Sequence, residues 1–412
     1  MELIETLNRT MKLAMDEGRV SSYEEAQTLF GSFRLRIHVQ PGFSAVPAAE
    51  AAAITLLNAA PKTFLGGVEL VGPLHEQCTR AWFAGKALGD VAKQFGVATA
   101  AGGSGDAPTI HVGDGTAQDS AFWLGVSLRP DGFILSPDAA TAGSQASPVE
   151  AGVAAAGAAL NEAFQHAYRK APLAGQREVR WSLPCNANLT PVGNLWLIGL
   201  GHLGQAFLWT LALAGGDRLP RSVRLTDYDT VSWSSLSTCL LVRTKDVGRK
   251  KVDGVAEEFE ALGVQVQRDY ERLNLIDAGM VRSAQDLVVV AVDNIALRCS
   301  LDRVHAERVL EAGIGDGAEA FTRIQLHAFP GPRKARDIWI GDDTRAARAV
   351  DLNKPAYQAL LAKSGDECGT ALVAGRSVAT PFVGAFAGAL LSSLAVDWGD
   401  DVHAWSYDVN SL

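Results

Sequence analysis

Short apolar runs alternate with helical stretches along the chain, and this pattern predicts an α/β fold. The runs have the length and composition of strands that are buried on both faces of a parallel sheet. The predicted strands are residues 33–39, 66–72, 109–112, 122–127, 132–135, 195–200, 222–226 and 287–292. The main predicted helices are residues 1–17, 47–60, 147–167, 203–214 and 377–394. Strands that alternate with helices favour a parallel sheet covered by helices.

The two halves of the chain repeat one order of elements. In each half a strand, a helix and a second strand come first, and a helix of small residues comes late. Between them lies a turn of proline and glycine, at residues 129–132 in the first half and 330–332 in the second. Such turns are typical of hairpins, and the second hairpin is predicted to join residues 321–329 to residues 338–340.

This repeat predicts two related α/β domains in one chain. We expect the first domain at residues 1–170, with N-terminal helices, and the second at residues 181–412. The polar residues between them are read as a linker. Two unrelated α/β domains are the alternative interpretation.

Composition and charge exclude several classes of protein. The chain has 412 residues, a net charge of -9 and no long basic block, which argues against a nucleic-acid partner. Its five cysteines form no C-x-x-C pair, which argues against a disulfide scaffold or a structural zinc and indicates a reducing cytoplasm. Residues 377–396 are long and apolar enough to span a membrane, but Pro381 and several serines favour a buried helix instead.

A glycine-rich turn follows the first strand of the second half. Gly199, Gly201 and Gly204 form G-x-G-x-x-G between that strand and the next helix, and Asp227 ends the strand after it. Glycine lets the backbone approach a phosphate at a helix N-terminus, and an acid at the second strand can bind a ribose hydroxyl. We expect a nucleotide site here; the alternative is a tight turn that needs glycine only for packing. The first half has Gly42 alone at the corresponding turn and no such acid, so we expect it to be a degenerate copy.

Further charged residues follow the glycine turn. Asp229 forms a D-x-D pair with Asp227. Lys251 begins the next predicted helix, where its ammonium group could reach phosphates. Asp293 follows the apolar strand LVVVAV, at the strand end where a carboxylate could hold Mg²⁺. A solvated basic turn is the alternative role for the lysine, and a helix N-cap is the alternative for Asp293.

The segments DYDTVSWSSL, DVGRKKV, DLVVVAVDNIALR and SVATPFVGAFAGAL resemble, in order and spacing, motifs of the ThiF-like or ubiquitin-activating-enzyme-like (MoeB/ThiF) superfamily. Members of that superfamily have Rossmann-like adenylation domains that work in pairs. They use ATP and Mg²⁺ to adenylate the C-terminal glycine of a ubiquitin-like protein. The resemblance implies that this chain holds both domains, the first degenerate and the second nucleotide-binding, as a pseudo-dimer. It leaves open whether two chains also pair.

The resemblance also implies roles for individual residues. Arg9, in the segment NRTMKL, would cross from the first half to the triphosphate. The glycines would surround the nucleotide, Asp227 would hold the ribose, Lys251 would join Arg9 at the triphosphate, and Asp293 would bind Mg²⁺. Asp229 belongs to the same nucleotide-binding set.

A crossing loop near residues 342–376 carries Cys368, which would attack the acyl-adenylate and form a thioester, as a cysteine there does in many relatives. The alternative is an ordinary loop cysteine in an adenylate-only enzyme. Two polar residues of the family pattern are replaced by Ser235 and Thr238, and Arg243 lies nearby as a candidate substitute.

The leading hypothesis is therefore ATP-dependent activation of a ubiquitin-like protein or another protein C-terminus. A conjugating enzyme or a sulfur-carrier system would act downstream, and the sequence identifies neither. A non-catalytic scaffold that binds nucleotide or a ubiquitin-fold partner is the alternative favoured by Ser235 and Thr238. An NAD(P)-dependent oxidoreductase would explain the glycines and Asp227, but it gives Lys251, Asp293 and the repeated half no role.

Overall fold

The computed structural model describes residues 3–100, 107–117, 122–184, 192–276, 280, 287–304, 306, 308–315, 317–339, 351–396 and 402–412. The strands are β1 (Arg34–Val39), β2 (Gly67–Val71), β3 (Ala98–Thr99), β4 (Thr109–Val112), β5 (Gly115–Thr116), β6 (Trp123–Arg129), β7 (Gly132–Ser136), β8 (Ala139–Ala140), β9 (Val179–Ser182), β10 (Asn194–Ile198), β11 (Ser222–Thr226), β12 (Gln265–Asp269), β13 (Leu287–Val290), β14 (Arg308–Ile314), β15 (Arg323–Phe329) and β16 (Ala404–Asp408).

The helices cover the faces of the sheets and include the segment before β1. They are α1 (Leu3–Thr6), α2 (Lys12–Asp16), α3 (Tyr23–Phe30), α4 (Pro47–Ala59), α5 (Leu88–Gln94), α6 (Val149–Phe164), α7 (His202–Ala214), α8 (Trp233–Leu236), α9 (Lys251–Glu260), α10 (Ile295–Cys299), α11 (Ala335–Trp339), α12 (Pro355–Ser364), α13 (Glu367–Gly375) and α14 (Pro381–Val396).

Two sheets of seven strands share one strand order, and the predicted α/β class is confirmed. The first sheet runs β3-β2-β1-β4-β6-β7-β9 and the second runs β12-β11-β10-β13-β14-β15-β16. In each sheet the first five strands are parallel and the last two pairings are antiparallel. The repeated element order read from the sequence is therefore a repeat in the sheets as well.

One hydrophobic core runs through both halves. Leu35, Ile37 and Val39 of β1 belong to the same buried cluster as Leu195 and Leu197 of β10. Helices lie between the two sheets: α14 packs on α6 and on α7, and α6 packs on α4. Burial of this apolar surface on both sides holds the halves together.

Glycines set the spacing of these helices. A Cβ on Gly388 of α14 would lie 2.4 Å from backbone atoms of Ala206 in α7, and a Cβ on Gly152 of α6 would lie 2.0 Å from the carbonyl oxygen of Ala48 in α4. Both helix pairs therefore approach more closely than any residue with a side chain would allow.

The apolar stretch near the C-terminus forms the buried helix that its proline and serines favour. Phe382, Ala385, Phe386 and Leu390 of α14 are fully buried between the halves. Among the described residues, no helix has the length and the apolar character that crossing a membrane requires.

Two predicted elements are wrong. The expected second hairpin fails because residues 335–339 form α11, and β15 pairs instead with β14, which the apolar pattern did not predict. Pro330 and Pro332 cannot donate to a ladder, and a carboxylate oxygen of Asp302 caps α11 by accepting from the Ala335 amide at 2.6 Å.

The predicted N-terminal helix of residues 1–17 is broken in two. The side-chain oxygen of Asn8 accepts from the amides of Thr10 and Met11, at 2.9 and 3.2 Å, and this local turn separates α1 from α2. Arg9 lies at the break. Of the predicted crossing loop at residues 342–376, the described part from residue 351 contains α12 and α13, and residues 342–350 lie outside the described residues.

Candidate active site

The glycine turn joins β10 to α7 at the carboxyl edge of the second sheet. Gly199 has φ of +95°, and a Cβ there would lie 2.5 Å from the Ala291 carbonyl oxygen. A Cβ on Gly204 would lie 2.0 Å from the Gly199 carbonyl oxygen, so the helix packs directly on the turn. A Cβ on Gly201 would meet no described atom within 4 Å. The first and third glycines are needed for packing, whereas the second leaves the backbone open to a ligand.

Asp227 fastens the turn to the neighbouring strand. Its carboxylate accepts from the amides of Leu200 and Asp229, each at 2.7 Å, and the residue is only 9% exposed. The Asp229 carboxylate, which is 44% exposed, pairs with the ammonium group of Lys251 at 2.6 Å. Burial lowers the pKa of Lys251, but the two carboxylates and Cys239 outweigh it, so the pKa lies above its ordinary value. Lys251 is therefore a fixed cation beside the turn.

Asp293 lies three residues beyond the end of β13 and is exposed. Two residues before Asp293, the amide of Ala291 donates to the Ile198 carbonyl at 2.9 Å. This hydrogen bond keeps the segment beside the glycine turn. The alternative role as a helix cap belongs to the next residue, because the Asn294 side chain accepts from the Leu297 amide at the start of α10. The Asp293 carboxylate is thus not used as the cap of that helix.

Arg9 reaches across from the N-terminal segment to the second half. Its guanidinium donates to the carbonyl and the hydroxyl of Ser377, at 2.8 and 2.7 Å, and its amide donates to the Ser237 hydroxyl at 3.1 Å. Burial and the nearby Arg376 lower the pKa of Arg9 to about 10, while Cys239 and Asp293 oppose that shift. The structure therefore brings Arg9 into the electrostatic neighbourhood of Asp293.

Lys62 is a second cation from the first half at this place, and the sequence analysis did not find it. It ends a 3-10 turn at Ala60–Lys62, directly after α4, and its ammonium group donates to the Leu236 carbonyl in α8 at 3.1 Å. Two hydrogen bonds hold this turn in place. The side-chain amide of Asn58 donates to the Leu240 carbonyl at 2.8 Å, and that of Asn8 donates to the Lys62 carbonyl at 3.2 Å.

Cys239 marks where these cations meet. It is 3% exposed and belongs to the hydrophobic core. Burial raises the pKa of its thiol, and Lys251, Lys62 and Arg9 each act to lower it. This buried residue therefore lies beside three cations that come from three separate parts of the chain.

His202 opens α7 inside the glycine turn. Burial lowers the pKa of its imidazole to about 3, and the positive charges of Arg9 and Lys251 act in the same direction. Its Nε2 atom is buried and has no hydrogen-bond partner among the described residues. The ring is neutral at physiological pH, so Nε2 can accept or donate one hydrogen bond.

Cys368 lies away from these groups. It is exposed in the first turn of α13, whose N-cap is Asp366. The helix runs from there towards Ser377, the partner of Arg9, and the rise over the seven steps from Cys368 to Gly375 is about 10 Å. The structure does not bring the thiol into contact with Arg9 or Lys251.

The two residues that depart from the family pattern, Ser235 and Thr238, lie in α8 and just after it. Ser235 and Ser232 form a capping box at the start of α8, and Thr238 is 5% exposed. Arg243, the candidate substitute, places its guanidinium over the ring of Phe95 in the first half, 5.5 Å from the ring centroid. That cation–π contact binds it to the interface between the halves.

Family comparisons match both halves of the chain. The BilD N-terminal domain matches residues 34–183, and the BilD C-terminal domain matches residues 192–397. The bacterial E1-like protein BilD of Collimonas sp. (strain OK412) is 31% identical over 411 residues, which cover 94% of this chain and 87% of that protein. This chain belongs to the BilD family of E1-like proteins.

A second curated protein agrees with the E1-like assignment over a shorter stretch. The catalytic subunit of the NEDD8-activating enzyme E1 of Caenorhabditis elegans is 28% identical over 141 residues, 34% of this chain and 32% of that protein. A crystal structure of selenomethionine PaaA matches with a TM-score of 0.32 and 18% identity, over 53% of this chain and 73% of that one. The E1-like part of the predicted resemblance is thus confirmed, whereas the MoeB/ThiF branch stays a prediction.

The described residues fit a nucleotide polyphosphate. Gly201 leaves open backbone at a helix N-terminus, His202 presents an unpartnered Nε2, and Lys62 has no carboxylate partner among the described residues. Anions are stabilised by such donors and cations. Mg²⁺ usually takes only one or two protein carboxylates together with substrate phosphates, and Asp293 is an exposed carboxylate of that chemistry.

Proposed function

We propose that this protein activates the C-terminus of another protein with ATP, forming an acyl-adenylate. The proposal is carried by one observation: Arg9 of the first half lies with Lys251 and within the electrostatic reach of Asp293, beside the glycine turn. Membership of an E1-like family supports the same reaction. The oxidoreductase hypothesis gains no support, because it gives the converging cations no role.

The reaction needs positioning and charge more than covalent catalysis. A carboxylate oxygen of the protein substrate attacks the α-phosphorus of ATP, the α–β P–O bond breaks, and pyrophosphate leaves. Lys251 and Arg9 would neutralise the charge that the leaving group carries, and the backbone at Gly201 would hold a phosphate. Mg²⁺ held by Asp293 would supply further charge neutralisation at the phosphates.

A thioester step would follow at Cys368. Its thiolate would attack the acyl carbonyl, the bond from that carbonyl to the phosphate oxygen would break, and AMP would leave. The exposure of Cys368 on α13 supports access by a large acylated protein. Because about 10 Å of helix separates the thiol from the Arg9 end of α13, the segment would have to move between the two steps.

Thermal stabilisation by Mg-ATP tests the first step without a known substrate. At about a hundred times its dissociation constant, a ligand adds about 2.7 kcal/mol. For 412 residues that unfold together, this corresponds to about 3 °C in melting temperature. We expect this shift in the wild type, dependent on magnesium, and its loss in Asp293→Ala. Asp131→Ala, at an exposed hairpin acid of the first half, is the control. A shift with NADH but none with Mg-ATP would contradict the proposal.

The thioester step has a separate test, once the protein substrate is in hand. Cys368→Ala should leave ATP–pyrophosphate exchange unchanged and abolish the thiol-sensitive adduct on gels. Cys78→Ala, at a buried cysteine of the first half, should retain the adduct. An adduct that persists in Cys368→Ala would show that the acyl group resides elsewhere.

A further inference from the structure

We propose that Lys62, a residue of the first half, binds the triphosphate of ATP in the nucleotide site of the second half. This inference rests on the proposed function, since it names a further phosphate-binding residue for the same reaction. It concerns a residue outside the glycine turn, the D-x-D motif and the Arg9 segment.

The first step is the position of the ammonium group. Lys62 Nζ donates to the Leu236 carbonyl at 3.1 Å, in the last residue of α8, and Arg9 contacts the following residue, Ser237. Cys239 lies within electrostatic reach of Lys62, Arg9 and Lys251 alike. Lys62 therefore shares one buried thiol neighbour with Arg9 and Lys251, the two cations that lie near the glycine turn.

The second step is the missing counter-charge. Lys251 has Asp229 at 2.6 Å, whereas Lys62 has only a carbonyl oxygen among the described residues. Burial lowers the pKa of Lys62 to about 8, Arg243 lowers it further, and the Cys239 thiol opposes the shift. A partly buried cation without an anion loses hydration that nothing replaces, and an incoming phosphate would supply the anion.

The third step is the way in which the fold holds this residue. Asn58 donates to the Leu240 carbonyl and is 3% exposed, so the end of α4 is fixed to the segment after α8. Asn8, the neighbour of Arg9, donates to the carbonyl of Lys62. One small hydrogen-bonded unit thus positions Lys62 and Arg9 together, and both cations come from the first half.

The test measures the affinity of the full-length protein for Mg-ATP and for adenosine by calorimetry. Lys62→Met should weaken Mg-ATP binding by about 10- to 100-fold, the range for loss of one charged hydrogen bond, and leave adenosine binding within twofold. A merely structural role would weaken both ligands alike. Lys62→Arg should retain most of the affinity for Mg-ATP. Lys93→Met, at an exposed lysine of the same half, should match the wild type.

A second measurement needs no substitution and decides the case if Lys62→Met does not fold. The groups that face Lys62 and its neighbour Cys239 are Arg243, Arg9, Lys251 and the Cys239 thiol itself. Since the pKa of Lys62 is about 8, and phosphate would hold its proton, Mg-ATP affinity of the wild type should fall by up to about tenfold from pH 7 to pH 9.

The outcomes separate the inference from the proposed function. If the wild type binds Mg-ATP and Lys62→Met binds it equally well, the inference is wrong and the proposed function stands. A flat affinity of the wild type between pH 7 and pH 9 overturns the inference in the same way. If the wild type does not bind Mg-ATP at all, the proposed function itself fails, and the role of Lys62 fails with it.

Discussion

The imidazole of His202 lies at the start of α7, where its protonated form is unfavourable. Burial and two neighbouring cations lower its pKa to about 3 in the folded protein, against about 6.5 in the unfolded chain. Below pH 6.5 the unfolded state therefore binds a proton that the folded state does not. Stability must fall as the pH falls through this window, by about 2 kcal/mol from this residue at pH 5.

We predict that His202→Gln reduces the loss of melting temperature between pH 7.5 and pH 5.0. The substitution keeps a neutral polar group but removes the proton that the unfolded state takes up. Differential scanning fluorimetry without nucleotide measures the effect at both pH values. His75→Gln, at an exposed histidine, should show the slope of the wild type. An unchanged slope in His202→Gln would mean that its imidazole is charged, or solvated, in the folded state.

At the scale of single residues, sequence reasoning finds what a local motif carries. Gly199, Gly204 and Asp227 contact one another through the turn, and their spacing along the chain made that predictable. Lys62 and Cys239 meet only because the two halves fold together, and neither belongs to a motif. The signal available for Lys62 is its position in the repeat. It comes directly after α4, and α4 is the first-half counterpart of α7, the helix that begins at the glycine turn.

At the scale of elements, the close approach of α14 to α7 depends on Gly388. A Cβ there would come within 2.4 Å of the Ala206 backbone, and the backbone cannot move aside as a flexible side chain would. Alanine gains up to about 1 kcal/mol of helix propensity over glycine, but overpacking typically costs about 1–3 kcal/mol. We expect the second effect to dominate, because the contact lies in the core that joins the halves.

We predict that Gly388→Ala lowers the melting temperature, although it favours the helix. Gly384→Ala is the matched control in the same helix, since its nearest contact is 3.3 Å from a side-chain atom of His202. That variant should be close to neutral in stability. Equal stability of the two variants would show that the helices separate without cost.

One of the strands that the apolar pattern did not predict, β14, shows a limit of periodicity. β14 carries Glu311 in its centre, which interrupts the apolar run that identifies a buried strand. The residue is nonetheless fully buried, because Arg298 pairs with it at 3.1 Å and His327 lies at 2.9 Å. Arg298 thereby connects α10 to this strand. Partners supplied by other elements make a buried charge tolerable, and they are not visible in the strand itself.

At the scale of the whole molecule, the two halves share one architecture but contribute different groups to the candidate site. Both sheets have one strand order, which the repeated element order predicted in outline. The glycine turn belongs to the second half, whereas Arg9 and Lys62 come from the first. We propose that the first half, without nucleotide-binding glycines of its own, serves as the source of cations for the second.

A split chain tests this arrangement. We predict that residues 1–184 and 185–412, expressed together as separate chains, copurify and bind Mg-ATP, because α6 and α14 bury a continuous apolar surface against each other. Residues 185–412 alone should not bind Mg-ATP with the affinity of the intact protein, since they lack Arg9 and Lys62. Size-exclusion chromatography and calorimetry measure assembly and binding.

An Arg9→Ala variant of the fragment 1–184 distinguishes assembly of the two fragments from binding of Mg-ATP. Within the described part of the chain, the Arg9 guanidinium hydrogen-bonds to Ser377 alone. The substitution leaves the apolar core between the halves unchanged. The altered fragment should therefore copurify as well as the unaltered one and fail to restore Mg-ATP binding. If residues 185–412 alone bind Mg-ATP as tightly as the intact chain, the site is complete without the first half, and the pseudo-dimer serves stability rather than catalysis.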